Sequence, residues 1–496
     1  MNTFRDRWIA FPGLLLLVYF LFRLVDYGKV IFFHPLSNIK HDFYSYAPLL
    51  YFLKECGFHQ WCSFWYNGFT TFVAAPPGWY FFTYPFYIVT GHLRLAYYLS
   101  LVLIYVFMAL VVLIGGKKIG MSPLQRITFF AFFVGNNVMI NTLRLGRAPE
   151  LFAWVFFLAA FFILYYFKDR PLTPHFYWII LPYTLVIFTY HSLAILLSFF
   201  VLGFFLVHYR HFWKIVSVVF ASFLLSAFWW FPLILRLDQL WLTHNPIGVE
   251  SWWMFTDFLH FTSLGVIFLP LITFLTFFFY YRSSGDRNDL FFFGPILFLL
   301  LLFFLGVLPF IPVFRHIFTN IFFALMIFLI LVFVFSLDYR KFSFLSDRAI
   351  ISLFFLAVSL TIFIGTFSSP LFDTPTKEQN DVLRALREAE SPYMIVGSLS
   401  SLHSHRSAFY SYGALEFNLS TVEGHYPAEK DAPYLDGLTL LHRSFLEGDC
   451  RTFLHLTHSY GVRSYISYGE ACEVLEECGL PYRTSFGEAC LYRVPS

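Results

Sequence analysis

Long stretches of this chain are apolar on every side of a helix, and that limits its fold more than any other feature. Pro295 to Leu308 and Ile317 to Leu337 carry no charged residue. A helix without a polar face must lie inside a large core or in lipid. Composition decides between the two. Of 496 residues, 58% are hydrophobic and only 13% charged, with 71 phenylalanines. Soluble domains carry about a quarter charged residues, so lipid is the solvent and the chain reads as a multi-pass membrane protein. The net charge of +3 is small and no basic stripe rises above short clusters, which leaves no footing for nucleic acid. Arg5 and Arg7 precede the first apolar stretch as in a secretory signal. No small-residue cleavage site follows, and Arg23 and Asp26 end the stretch, so it reads as a retained first helix.

Apolar runs predict helices near 8–26, 96–114, 127–143, 150–167, 176–190, 192–208, 214–235, 260–281, 290–308, 317–337 and 349–367. A single helix over 176–208 would be roughly 50 Å long, against a hydrocarbon core of about 30 Å. Pro182 and Thr189-Tyr190-His191-Ser192 favour two segments with a turn near His191. With eleven helices and a cytoplasmic N-terminus, the cytoplasmic connections hold Lys117/Lys118/Arg126, Lys168/Arg170, Arg210/Lys214, Arg282/Arg287 and Arg340/Lys341/Arg348. All are basic, as the positive-inside rule requires. The expected location is the cell membrane, with the C-terminal segment extracytoplasmic. The cysteines agree: Cys56, Cys62, Cys450, Cys472, Cys478 and Cys490 all fall in segments this topology places outside, where disulfides persist. Cys56–Cys62 is the obvious first pair, and the four tail cysteines allow three pairings.

The expected division is a membrane part, 1–369, with a first outer loop over 28–95, and a tail domain, 370–496. Beyond Ser368-Ser369-Pro370 the sequence turns mixed and polar. Thr376 to Glu390 and Glu470 to Cys478 read as helices, Tyr393–Val396 and Ser464–Ser467 as strands, and Tyr482 to Val494 as a hairpin turning at Gly487. The fold class is therefore an α-helical membrane bundle carrying a small extracytoplasmic α/β domain. Asn418-Leu419-Ser420 matches the N-glycosylation pattern, a triplet common by chance.

Asp42 is the first candidate for chemistry. It follows the first apolar run and opens a loop rich in aromatics, including Tyr44 and Trp65. A carboxylate there can take a proton from an attacking hydroxyl or hold a divalent cation against a phosphate; the plain alternative is an interfacial acid simply solvated or paired with Lys40. In the short second outer loop, Arg144 and Arg147 run against the positive-inside trend, which an outer-face phosphate would explain. Glu150, just after Pro149, suits either function or the positive end of a helix dipole. Arg315, between two very apolar helices, is either an anion ligand or a snorkelling interfacial cation. In the fourth outer loop, Trp241, Trp252 and Trp253 fit an interfacial helix as well as a sugar-binding wall.

Together, an acid just after the first helix, Trp65-Tyr66-Asn67-Gly68, the stretch from Pro76 to Pro85, Gly146-Arg147-Ala148-Pro149-Glu150 and an extracytoplasmic α/β tail resemble the GT-C superfamily of membrane glycosyltransferases. The nearest likeness is to its YfhO-like and oligosaccharyltransferase-like branches, and Tyr460 to Ile466 with Phe486-Gly487 and Leu491–Arg493 is similar to the ends of such chains. The resemblance implies a sugar donor on polyprenyl phosphate, membrane lipid as surroundings, and inverting transfer to a glycan, lipid or protein acceptor on the outer face. It implies Asp42 as base or metal ligand and Glu150 as the second-loop acid, with a divalent cation (Mg²⁺ or Mn²⁺) possible between them. Arg147 and Arg315 would hold the lipid phosphate, and Trp65 and Tyr44 the substrate. No Asp-x-Asp or Glu-x-Asp pair stands in the second loop and no Trp-Trp-Asp motif in the tail. Both departures argue against an oligosaccharyltransferase acting on asparagine sequons. The rival readings are a flippase for lipid-linked sugars and a non-catalytic membrane scaffold.

Overall fold

The computed structural model describes residues 3–33, 42–236, 261–311, 314, 317, 319–337, 347–368, 376–397, 402–424, 430–480 and 483–494. Two compact units emerge. One comprises Met1–Gly28, Leu99–Phe228 and Pro246–Leu371; the other comprises Lys29–Tyr98, Trp229–Asn245 and Phe372–Ser496.

In the first unit the apolar runs are helical, but several are shorter or more broken than the sequence implies. Among the described residues, Leu93–Lys118, Ala148–Phe167, Arg287–Phe304 and Thr319–Ser336 are long and apolar enough to cross a membrane. His191–Val207 and Tyr209–Leu225 form a further pair bent by 104°. The run expected over 127–143 is two helices, Pro123–Gly135 and Asn137–Arg144. Asn136 separates them: its backbone is extended, and its side chain accepts from Val138 N and Met139 N to cap the second. The break expected near His191 falls at Tyr190, extended between Ile180–Thr189 and His191–Val207. The first helix does not end at Asp26. It runs Thr3–Phe33 and buries both Arg23 and Asp26. Arg23 lies over the Tyr19 ring and is drawn to Asp26, so the two charges offset each other inside the helix bundle.

The phenylalanines have a packing role. Phe328 meets the rings of Phe129, Phe133, Trp154, Phe157 and Phe161 at centroid distances of 4.8 to 6.4 Å, mostly edge to face. Such geometry sets positive ring edges against negative faces and adds about 0.5–1.5 kcal/mol per pair beyond burial. Gly203 does what no other residue can there. A Cβ on it would sit 2.0 Å from the Phe292 carbonyl oxygen, so the helices His191–Val207 and Arg287–Phe304 meet backbone to backbone.

Lys168, which the sequence places among the connecting-loop cations, is buried. Its Nζ pairs with the buried carboxylate of Asp289, with Asp169 at 3.1 Å and with Asp286 at 3.8 Å. Tyr280 donates to Asp289 at 2.8 Å and shares a 2.9 Å hydrogen bond with Tyr165. The cluster ties the end of helix Ala148–Phe167 to the start of helix Arg287–Phe304.

The second unit joins the first outer loop to the tail residues, although the sequence gives that loop to the membrane part. A four-stranded sheet runs in the order Tyr393–Ile395, Ser464–Tyr468, Ala489–Arg493, Arg483–Phe486; the first pair is parallel and the others antiparallel. The closing hairpin turns at Gly487, which takes the left-handed conformation the turn needs. Three disulfides are present: Cys56–Cys62, Cys450–Cys478 and Cys472–Cys490. The loop docks through its Trp-Tyr-Asn-Gly turn, where Tyr66, Asn67 and Gly68 all have positive φ. That shape aims backbone groups at the tail. Tyr66 N donates to Glu423 O, Asn67 N to Thr421 O, and Thr421 N to Phe64 O. Asn67 Nδ2 donates to Tyr460 O at 2.7 Å and Lys430 Nζ to Gly68 O at 2.8 Å.

Candidate functional site

In the second unit Asp42 stands immediately before helix Phe43–Glu55. Its backbone carbonyl receives Ser45 N and Tyr46 N, while its side chain makes no capping hydrogen bond to that helix. The residue is half-buried. Two residues on, Tyr44 lines a cavity of about 450 Å³ with Tyr51, Tyr87, His92, Arg94 and Glu416. Arg94 and Glu416 form a salt bridge in its lining. Burial holds the Tyr44 phenol well above its ordinary pKa, with Arg94 opposing, so it stays protonated and able to donate. Aromatic walls with a few convergent polar groups are what a sugar ring requires: apolar faces to stack on and partners for its hydroxyls. Trp65 plays a different part. It is wholly buried, with Phe52 edge-on at 4.8 Å and Phe69 stacked at 5.9 Å, and so belongs to the core of the unit rather than to an open wall.

In the first unit Gly146, with positive φ, turns the chain out of helix Asn137–Arg144 into Ala148–Phe167. Arg147 is the residue before that second helix and Glu150 lies in its first turn. Glu150 is fully buried, 0% exposed, which alone would be costly for a carboxylate. Arg147 faces it at 3.8 Å, and Asn320 Nδ2 lies 3.4 Å from both carboxylate oxygens. The helix N-terminus adds a favourable dipole. Asn320 is absent from the sequence reading, because nothing local marks an asparagine at the head of an apolar run as the partner of an acid 170 positions earlier. The Arg94–Glu416 pair was equally hidden, at a separation of 322. Arg144 is engaged locally, donating from Nε to Asn141 Oδ1.

Arg315, Lys40 and the tryptophans Trp241, Trp252 and Trp253 lie outside the described residues. Asp42 and Tyr44 belong to one unit, Arg147 and Glu150 to the other. Among the described residues no three His, Cys, Asp or Glu side chains cluster as metal ligands.

No family model and no curated protein matches the chain. Its fold does match the crystal structure of the Archaeoglobus fulgidus oligosaccharyltransferase in the apo form, with a TM-score of 0.57 over 91% of this chain and 69% of that one. The chain has the overall fold of that oligosaccharyltransferase. At 11% identity the likeness is one of architecture, and chemistry must be argued from the side chains.

Proposed function

We propose that this protein is a membrane glycosyltransferase that moves a sugar from a polyprenyl-phosphate donor to a hydroxyl acceptor on the extracytoplasmic face, with inversion. The observation that carries the proposal is the Tyr44 cavity: aromatic, of a size for a small glycan, and two residues along the chain from the Asp42 carboxylate. The fold supports the reading at the level of architecture.

The acceptor oxygen attacks the anomeric carbon as the carbon–oxygen bond to the lipid phosphate breaks, and the phosphate leaves with the bonding electron pair. Asp42 takes the acceptor's proton. The leaving phosphate needs its growing charge stabilised, and a guanidinium such as that of Arg147 is suited to bidentate phosphate contact. Glu150 and Asn320 act as positioning residues, holding the Arg147 turn in one arrangement. A divalent cation, when bound, would supply further charge to the phosphate. Among the described residues no three His, Cys, Asp or Glu side chains cluster to hold it.

The test is transfer from a panel of radiolabelled polyprenyl-phosphate sugars by membranes containing the wild type or Asp42→Asn, each with Mg²⁺, with Mn²⁺ and with chelator. Transfer by the wild type that falls by at least roughly a hundredfold in Asp42→Asn is expected, the usual range for losing a general base. Equal transfer by the two proteins, or none from any donor, would overturn the proposal in favour of lipid-linked sugar transport or scaffolding.

A further inference from the structure

Away from the residues discussed above, the first unit holds a second cavity, of about 670 Å³, between helices Leu93–Lys118 and Ala148–Phe167. Its floor is apolar, formed by residues such as Ala159 and the buried Phe162, and its rim carries the exposed Lys118, Arg170 and His175. The helices are close at its base: a Cβ on Gly115 would lie 2.4 Å from the Phe162 ring. Both helices are candidate membrane spans, and Lys118 and Arg170 lie at and just beyond their C-terminal ends. Arg170 is laid over the Tyr166 ring, 3.9 Å from its centroid, which fixes the guanidinium at the rim. Lys118 and Arg170 are exposed, and neither has a carboxylate partner among the described residues.

We propose that this groove binds an anionic phospholipid of the bilayer, its acyl chain lying on the apolar floor and its phosphate held by Lys118 and Arg170. The physics of each half is separate. An apolar slot of this volume between two spans takes hydrocarbon whatever the headgroup, since each buried methylene favours binding. Two unpaired cations at the mouth, at the depth where headgroups lie, then select negative charge, as basic pockets between membrane helices do. The Lys168 cluster, two residues from Arg170, does not compete, because that ammonium is buried and saturated by carboxylates.

The full-length protein, purified in detergent, would be mixed with phosphatidylglycerol or phosphatidylcholine of identical chains, and retained lipid counted by native mass spectrometry. Phosphatidylglycerol should be preferred by on the order of tenfold, as two interfacial cations predict. The double variant Lys118→Ala/Arg170→Ala, altering exposed side chains only, should lose the preference while keeping some of either lipid. Ala159→Phe, filling the floor, should lower retention of both lipids and leave the charges in place. Equal retention of the two lipids by the wild type, or an unchanged preference in the double variant, would overturn the proposal and leave ordinary annular lipid. Displacement of bound phosphatidylglycerol by equimolar polyprenyl phosphate would also overturn it, reassigning the groove to a donor. None of these readings depends on sugar transfer, so the inference stands or falls apart from the proposed activity.

Discussion

At the scale of single residues, Glu150 shows how a carboxylate is kept in a membrane bundle. Its charge is tolerated because Arg147, Asn320 and a helix N-terminus surround it. Glu150→Leu removes the acceptor and leaves Asn320 and Arg147 facing an apolar side chain. A loss of about 1–3 kcal/mol is expected, measured as a lower thermal midpoint in detergent, together with loss of sugar transfer. Glu150→Gln keeps the shape and an acceptor for Asn320 but not the charge opposite Arg147. It should fold near the wild-type midpoint yet transfer sugar at least about tenfold more slowly if Arg147 must be held in place. Wild-type rates in Glu150→Gln would reduce Glu150 to a packing role. The sequence named Glu150 and Arg147 through the Gly-Arg-x-Pro-Glu turn, because both ends of that turn are local. It could not name Asn320, which reaches them only through the packing of another helix.

At the scale of elements, two charged features decide local stability. Lys168 joins two helices through Asp289. Lys168→Met strands a buried carboxylate and should cost about 3–5 kcal/mol, whereas Lys168→Met/Asp289→Leu should recover most of it. Unfolding midpoints of the three proteins read this directly; a double variant no better than the single would sink the account. In the first outer loop, burial holds the His59 imidazole below its ordinary range, Arg236 adds to this, and the Phe72 carbonyl opposes it. A folded pKa lower than the unfolded one makes stability fully present above about pH 6.5. It is then lost as pH falls through the folded value. Hydrogen exchange over 57–72 should therefore speed up at pH 5.5 relative to His59→Asn, which keeps a residue tolerant of the positive φ there, and match it at pH 7.5. No difference between the two proteins at pH 5.5 would show that His59 carries no such coupling. The tail helices Leu402–Phe417, Ala432–Leu446 and Cys450–Ser459 went unread in the sequence. Their apolar residues are interleaved with His, Ser and Thr, and only tertiary contacts select the helix. The strand at Ser464 and the hairpin around Gly487 were legible because β-rich runs and a turn glycine are local signals.

For the whole molecule, the topology expected from the basic connections has a direct test. Leu446→Cys, at an exposed tail position, should react with an impermeant maleimide in intact cells, and Lys117→Cys only after lysis. Labelling of both in intact cells would break that topology. What the sequence determined by itself is what short range decides. It made the chain a membrane protein with a polar tail, because no helix so apolar is stable facing water, and it placed the cysteines outside the apolar runs. Tertiary structure decided the rest. It broke the run expected over 127–143 at Asn136, where an extended backbone and a side-chain cap on the next helix win over helix propagation. It chose Cys450–Cys478 and Cys472–Cys490 among three pairings, since only the packed sheet and helices bring those sulfurs together. It also drew the first outer loop onto the tail, through backbone hydrogen bonds from a left-handed turn to residues more than 350 positions away. Side-chain type carries no record of such partners, because a peptide group looks the same at every position.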